Sequence, residues 1–251
     1  MMPGGSEEVT GGGAGAAGSR TLDRRRLLAN VSIFSSLDER ALDALVRATS
    51  TRRLDAGEVL FRKGDQGRQL YGVLSGRLKV SAAGGDGKEI VFNVCDPGEV
   101  IGEIALLDSN PRSATIVALE PSELLVLVRR DFLPFLERHP RVAIELAELL
   151  AARLRRLSEV AEDSVLLALR ARLAKKLVGL AARYGQRTPD GIEIDLPLSQ
   201  QEIGDMVGTS RESINKQLRA WTVEGLIASA RGRITLRDPA ALEALARLAI
   251  D

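Results

Sequence analysis

The sequence predicts an α+β protein: an antiparallel, jelly-roll-like β-roll, then a long helix, then a C-terminal winged helix-turn-helix. Three observations carry this prediction. Residues 51–128 hold short apolar runs separated by glycines, residues 141–169 contain neither glycine nor proline, and residues 199–218 hold two amphipathic segments joined at a glycine. The predicted units are a disordered tail over 1–21, a roll with flanking helices over 22–139, a dimerisation helix and hinge over 140–166, and the helix-turn-helix domain over 167–251.

Composition limits the chemistry that the chain can perform. Its 251 residues are 45% hydrophobic, enough for two cores, and 35 basic against 34 acidic residues give a net charge of +1. A charged partner must therefore be met by a local patch. With one cysteine, Cys95, and one histidine, His139, the chain lacks the residues of a metal cluster and has no evident base beside a nucleophile. We predict no catalytic residues, no metal site and no cofactor, and hence no enzyme.

The apolar runs are too short to span a bilayer. The first 20 residues lack the basic segment and apolar segment of a secretory signal. These two features predict a cytoplasmic protein without a membrane partner.

The long helix carries two apolar lines. One has the spacing of four, three and four residues that is typical of a coiled-coil seam, and it predicts a homodimer; its members are Leu150, Leu154, Leu157 and Ala161. The second line is expected to pack on the helix's own domain; its members are Leu146, Leu149 and Val160.

The segment "LSQQEIGDMVGTSRESINKQLRAWTVEGLI" predicts a helix-turn-helix. Ser199 with Glu202 forms a capping box, Gly208 makes the turn and Ser210 caps the second helix. The second helix leaves cationic, acidic and amide side chains on its outward face, which suit base edges in a DNA major groove: Arg211, Glu212, Asn215, Lys216 and Arg219. From Leu167 onward, 13 basic minus 10 acidic residues give +3, which fits contact with phosphates. A charged face that is merely solvated is the alternative.

Three motifs in order resemble those of the cyclic-AMP receptor protein family of bacterial transcription regulators, the CRP/FNR superfamily: "FRKGDQGRQLYGVLSGRLKV", "GEIALLDSNPRSAT" and "SQQEIGDMVGTSRESINKQL". The second motif resembles the family's phosphate-binding cassette. The resemblance implies a homodimer that binds a cyclic nucleotide as allosteric ligand and also binds double-stranded DNA and RNA polymerase. It adds Ser199, Gln200 and Ser210 to the DNA-binding residues and implies palindromic sites with half-sites resembling TGTGA. Lys216 departs from the family's second arginine.

The resemblance also implies the residues of the nucleotide site. They are Gly102, Glu103, Ile104 and Ala105 near the sugar and phosphate, Arg112, Ser113 and Ala114 at the phosphate, and Leu157 and Ser158 at the base. A cyclic nucleotide needs one cation for its phosphodiester and one acceptor for its ribose hydroxyl, the roles expected of Arg112 and Glu103. Cyclic AMP is the expected ligand. Because Leu157 replaces a polar residue of cyclic-AMP receptors, cyclic GMP, contacting Ser113, stays open.

Two further alternatives remain. A structural ion pair between Arg112 and Glu103 would explain both residues without any ligand. The chain would then be a ligand-independent regulator with a vestigial pocket.

Overall fold

A computed structural model of the chain describes residues 25–84, 88–196, 198–230 and 232–247. The tail predicted for residues 1–21 lies outside these ranges. The described residues form a strand-rich N-terminal unit, one long helix and a C-terminal unit of helices around a small sheet. This architecture confirms the predicted fold class.

The N-terminal unit is a roll of two four-stranded antiparallel sheets. It is entered through helix α1 (Glu39–Ala48), whose first turn is capped by the Asp38 carboxylate, 2.8 Å from the Ala41 amide. The strands are β1 (Thr49–Leu54), β2 (Val59–Phe61), β3 (Gln69–Ser75), β4 (Leu78–Ala83), β5 (Glu89–Cys95), β6 (Val100–Ile101), β7 (Thr115–Ala118) and β8 (Ser122–Val128). A short helix α2 (Glu103–Asp108) separates β6 from β7.

The two sheets have the strand orders β1-β8-β3-β6 and β2-β7-β4-β5. Between them lies a core to which both contribute, including Leu78, Ile116 and Leu124. A second core includes Phe34, Leu127 and Phe132, and brings the flanking helices against the first sheet. The roll is therefore closed by apolar packing on both sides of one sheet.

Helices α3 (Arg129–Arg138) and α4 (Pro140–Leu166) follow the roll. On α4, Leu146 is buried and Leu149 packs against the same core, as the second apolar line predicts. The prediction for Val160 is wrong, because this residue is 43% exposed and lies on a cavity wall. Leu154 and Leu157 are 66% and 50% exposed, so the seam is uncovered in the single chain.

The C-terminal unit begins after a break in the helical chain at Leu167 and Ala168. It comprises α5 (Leu169–Tyr184), β9 (Gly185–Thr188), β10 (Gly191–Ile194), α6 (Gln200–Val207), α7 (Arg211–Val223), β11 (Ile227–Ala230), β12 (Arg233–Leu236) and α8 (Pro239–Leu245). Strands β11 and β12 pair as an antiparallel hairpin beside the helix-turn-helix, which is the predicted wing.

The helix-turn-helix forms as its sequence predicts. Ser199 and Glu202 make a reciprocal capping box, and Gly208 ends α6 in the left-handed region with φ of 77°. A Cβ at Gly204 would lie 2.8 Å from the Thr209 carbonyl oxygen, so this position needs a glycine for the turn to approach α6. The apolar residues predicted to join α6 and α7 are all buried in one core: Ile203, Val207, Ile214 and Leu218.

The C-terminal unit rests on strand β5 of the roll. A bulge at Phe92 shifts the register between β4 and β5, so that Val91 and Val94 both enter the core of the C-terminal unit. Next to them, the Tyr184 hydroxyl donates to Asp96 at 2.9 Å. The strand that supports the C-terminal unit is thus a strand of the roll itself.

Among the described residues, no helix combines the length and the apolar character needed to cross a bilayer.

Candidate functional site

A cavity of about 450 Å³ lies between the roll and helix α4. This volume falls in the usual range for small-molecule sites. Eight of the nine residues predicted for a nucleotide line it: Gly102, Glu103, Ile104, Ala105, Arg112, Ser113, Ala114 and Leu157. The ninth, Ser158, does not line the cavity; it is exposed, and its hydroxyl donates to the Leu154 carbonyl within α4.

Arg112 is the buried cation of this cavity, with 4% of its surface exposed. Its guanidinium donates to two backbone carbonyls, those of Gly102 at 2.8 Å and Gln69 at 2.9 Å. It also lies over the Phe61 ring, 4.1 Å from the centroid. Burial lowers the pKa of the Arg112 guanidinium, against the opposing influence of Tyr71 and Glu103.

Two glycines make room for the Arg112 guanidinium. A Cβ at Gly67 would lie 2.1 Å from Arg112 Nε, and a Cβ at Gly102 would lie 2.5 Å from Arg112 Nη1. Gly102 also has φ of 80°, which favours glycine. Glycines in two separate turns therefore leave the space that the planar Arg112 guanidinium occupies.

Glu103 is bound by an arginine other than the one expected. The Arg153 guanidinium, from α4, donates to Glu103 at 2.6 Å and also to the Val100 carbonyl. The expected alternative, an ion pair between Arg112 and Glu103, is wrong. Among the described residues, no carboxylate lies within ion-pair distance of the Arg112 guanidinium.

The charge of Arg153 is stabilised by this contact. Burial opposes the charged form, but Glu103, by charge and by hydrogen bond, together with weaker neighbours, raises the pKa of Arg153. Glu103 itself is 2% exposed. The pair thus joins the first residue of α2 to the long helix and fixes the acceptor at the cavity wall.

The face of α7 that is predicted to contact DNA is separate from the cavity. Four of the predicted side chains on α7 are exposed, namely Arg211, Glu212, Lys216 and Arg219, and Asn215 is half-buried. Ser210 caps α7 by accepting from the Ser213 amide at 3.2 Å. Ser199 is exposed at the start of α6 and Gln200 is half-buried beside it. The outward face predicted from the sequence is therefore open to a partner.

Comparison with known proteins agrees with this geometry. A cyclic nucleotide-binding domain family matches residues 51–139, and a Crp-like helix-turn-helix domain family matches residues 171–245. The chain is 33% identical over 214 residues to the cyclic AMP receptor protein of Thermus thermophilus, covering 85% of this chain and 96% of the relative. The chain belongs to the CRP/FNR family.

Other CRP/FNR proteins are similar along most of their length. A CRP-like cAMP-activated global transcriptional regulator of Mycobacterium tuberculosis is 28% identical over 221 residues, covering 88% of this chain and 99% of the relative. The solved structure of a CRP-family transcriptional regulator of Thermus thermophilus has a TM-score of 0.66 and 32% identity, and covers 80% of this chain and 98% of that one. This CRP/FNR chain is therefore a cyclic-nucleotide-binding transcription regulator and not an enzyme.

Among the residues that sequence reasoning missed are one amide and two arginines of the cavity wall, Asn93, Arg153 and Arg156. It also missed Gly67, which makes room for the Arg112 guanidinium. The repeated arginines of "ARLRRL" gave no signal of which one faces inward, because that depends on how α4 lies against the roll.

Removing Arg153 leaves the Glu103 carboxylate buried without its cation. We expect Arg153→Ala to lower the free energy of unfolding by about 3 kcal/mol in urea denaturation, because an unpaired buried charge is strongly destabilising. Arg53→Ala is the matched control, because Arg53 pairs with Glu123 while its own side chain is 85% exposed. The Arg53→Ala variant should lower the free energy of unfolding by less than about 1 kcal/mol. Equal losses in the two variants would contradict a structural role for the Glu103–Arg153 pair.

Proposed function

We propose that the chain is a homodimeric regulator that binds cyclic AMP in the cavity and palindromic DNA through α7. The observation that carries the ligand proposal is the Arg112 guanidinium, which is buried at the cavity wall and has no carboxylate within ion-pair distance among the residues that the structure describes. Its direct contacts are neutral carbonyls and rings, and Glu103 and Asp65 act on it only from longer range. An entering anion would therefore be the first group to pair directly with this desolvated charge. A singly charged phosphodiester supplies that charge.

The other two parts of the ligand follow from the same wall. Ser113 is exposed next to Arg112 and can donate its hydroxyl to a phosphate oxygen. Arg153 donates one hydrogen bond to Glu103 Oε1. The remaining lone pairs of the carboxylate are left to accept a hydrogen bond from a ribose hydroxyl. The cation and the acceptor of the expected site are thus both present on one wall.

Cyclic AMP is the preferred candidate because the similar proteins of Thermus thermophilus and Mycobacterium tuberculosis carry cyclic AMP in their names. Cyclic GMP is the second candidate, since Leu157 offers adenine no hydrogen bond and Ser113 can meet the guanine amino group. A ligand-independent regulator is the third. A cavity with a buried, unpaired guanidinium argues against it.

Calorimetric titration with cyclic AMP and cyclic GMP tests the ligand. We expect Arg112→Ala to weaken binding by about 2 to 3 kcal/mol, or roughly 30-fold to 150-fold, since it removes a charged hydrogen-bond donor. Ser113→Ala, at an exposed position, should weaken it less and leave folding intact. Arg52→Ala, on the outer surface of the roll, is the control and should bind like the wild type. A wild type that releases heat with neither nucleotide would leave a DNA-binding regulator without this ligand.

The DNA proposal rests on the exposed face of α7. Arg211 can form a forked contact with guanine, Glu212 can accept from a cytosine amino group, and Lys216 cannot form the same fork as an arginine. We propose half-sites resembling TGTGA in a palindrome, with RNA polymerase as a further partner. The regulator would act in the cytoplasm, and its units would divide near residues 139 and 166.

Arg211→Ala tests whether this side chain reads a base. On a duplex with two TGTGA half-sites, we expect the variant's binding to be weaker by about 1 to 3 kcal/mol of binding free energy, because one forked base contact is removed. Electrophoretic mobility shift titrations measure this difference. On a duplex in which the contacted guanine is replaced, the variant should lose much less. A uniform loss on all duplexes would make Arg211 a phosphate contact. Arg52→Ala serves again as the variant that should bind both duplexes normally.

A second copy of the chain is the proposed partner of the exposed seam on α4. The Leu154 and Leu157 side chains on this seam are 66% and 50% exposed, although leucine is usually buried. The same part of α4 lines the cavity. Its last lining residue, Val160, lies about two turns before the break at Leu167. In the proposed dimer, ligand binding would order this stretch, and rotation at the break would set the two α7 helices about 34 Å apart.

Leu154→Glu tests the dimer, because two carboxylates would face each other across the seam. We expect the variant to sediment as a monomer at concentrations where the wild type sediments as a dimer. Arg155→Glu changes the charge at the neighbouring position, about 100° around the helix, and should remain dimeric. A wild type that sediments as a monomer would refute the proposed assembly.

A further inference from the structure

Two polar side chains on the cavity wall have no role in the site proposed above. The phosphate and the ribose account for Arg112, Ser113, Glu103 and Arg153. Asn93 of β5 and Arg156 of α4 remain. Both lie on the wall among apolar side chains, which include Phe92 beside Asn93 and Leu157 beside Arg156.

Asn93 and Arg156 are joined to each other. The Arg156 Nη1 atom donates to Asn93 Oδ1 at 3.2 Å, so the contact links the roll to the long helix. The Asn93 amide nitrogen is 3.9 Å from the Cys95 sulfur, which is a weak acceptor. The Arg156 contact uses one of the two lone pairs of the Asn93 oxygen, so the pair offers the cavity mainly N–H donors: the amide nitrogen and the remaining guanidinium hydrogens.

The pair lies where the base of a bound nucleotide would be. Arg153 holds the Glu103 carboxylate, which marks the ribose. Arg156 and Leu157 follow three and four residues later, about 5 to 6 Å further along α4. The apolar side chains of Phe92 and Leu157 are suited to the faces of a purine, which leaves its polar edge to Asn93 and Arg156.

We infer that Asn93 and Arg156 read the edge of the base, and that Arg156 favours guanine over adenine. The inference rests on the proposed binding of a cyclic purine nucleotide. Guanine presents two acceptors, O6 and N7, to which an arginine donates a forked pair of hydrogen bonds. Adenine presents the N6 amino donor beside N7, so one arm of the Arg156 fork would face a donor and only the bond to N7 could form. Adenine binding therefore loses a contact that guanine binding keeps.

The test measures the dissociation constants of cyclic AMP, cyclic GMP and cyclic IMP for the full-length protein. The dissociation constants of cyclic GMP and cyclic IMP are each divided by that of cyclic AMP. Arg156→Ala should raise the cyclic GMP to cyclic AMP ratio about threefold to tenfold, the effect of one net hydrogen bond. Asn93→Asp, which replaces amide donors by a second acceptor, should raise it as well. Arg155→Ala is the control, because Arg155 is exposed and does not line the cavity.

Cyclic IMP has O6 and N7 but lacks the 2-amino group. If Arg156 reads O6 and N7, Arg156→Ala weakens cyclic IMP by the same factor as cyclic GMP. A loss confined to cyclic GMP would mean that the 2-amino group is read, and would overturn the inference. So would an unchanged ratio in Arg156→Ala, or an equal shift in Arg155→Ala. A wild type that binds none of the three would instead refute the proposed ligand itself, and the inference with it.

Discussion

The cavity proposed to bind a nucleotide depends on one constraint, the burial of the Arg112 guanidinium in a space that only glycines leave free. Gly67 and Gly102 come from separate turns, and a Cβ at either would collide with the guanidinium. Carbonyl oxygens and the Phe61 ring then hold it in place. These neutral partners fix its direction without cancelling its charge, so the cation is positioned in advance for an anion.

Strand β5 connects the cavity to the DNA-reading unit. The bulge at Phe92 turns Val91 and Val94 toward the C-terminal core, while Phe92 and Asn93 face the cavity. In the mechanism proposed above, a change at the cavity wall would reach the C-terminal unit through residues one position away in sequence. Because packed cores deform little, such a shared strand transmits displacement better than a flexible loop would.

Helix α4 serves three surfaces at once. Val142 and Leu146 are buried against the roll, Arg153 binds Glu103, and Leu154 is exposed. Its last turns have few contacts with the rest of the chain, since the residues from Leu154 to Leu166 are almost all exposed. One uninterrupted helix is thus anchored at its start and loosely held further along.

The sequence by itself determined the elements and their order, because these follow from local rules. Capping at Ser199, the turn at Gly208 and glycine-separated apolar runs act within a few residues, and each formed as expected. It also predicted two residues of opposite charge, Arg112 and Glu103, that the structure places on one cavity wall. Only the tertiary structure decided their partners. Glu103 binds Arg153, 50 positions away, and Asn93 binds Arg156, 63 positions away, because the packing of α4 on the roll chooses the facing side chains. Periodicity gives the face of a helix but not its rotation against a sheet, which is set by the fit of the whole core.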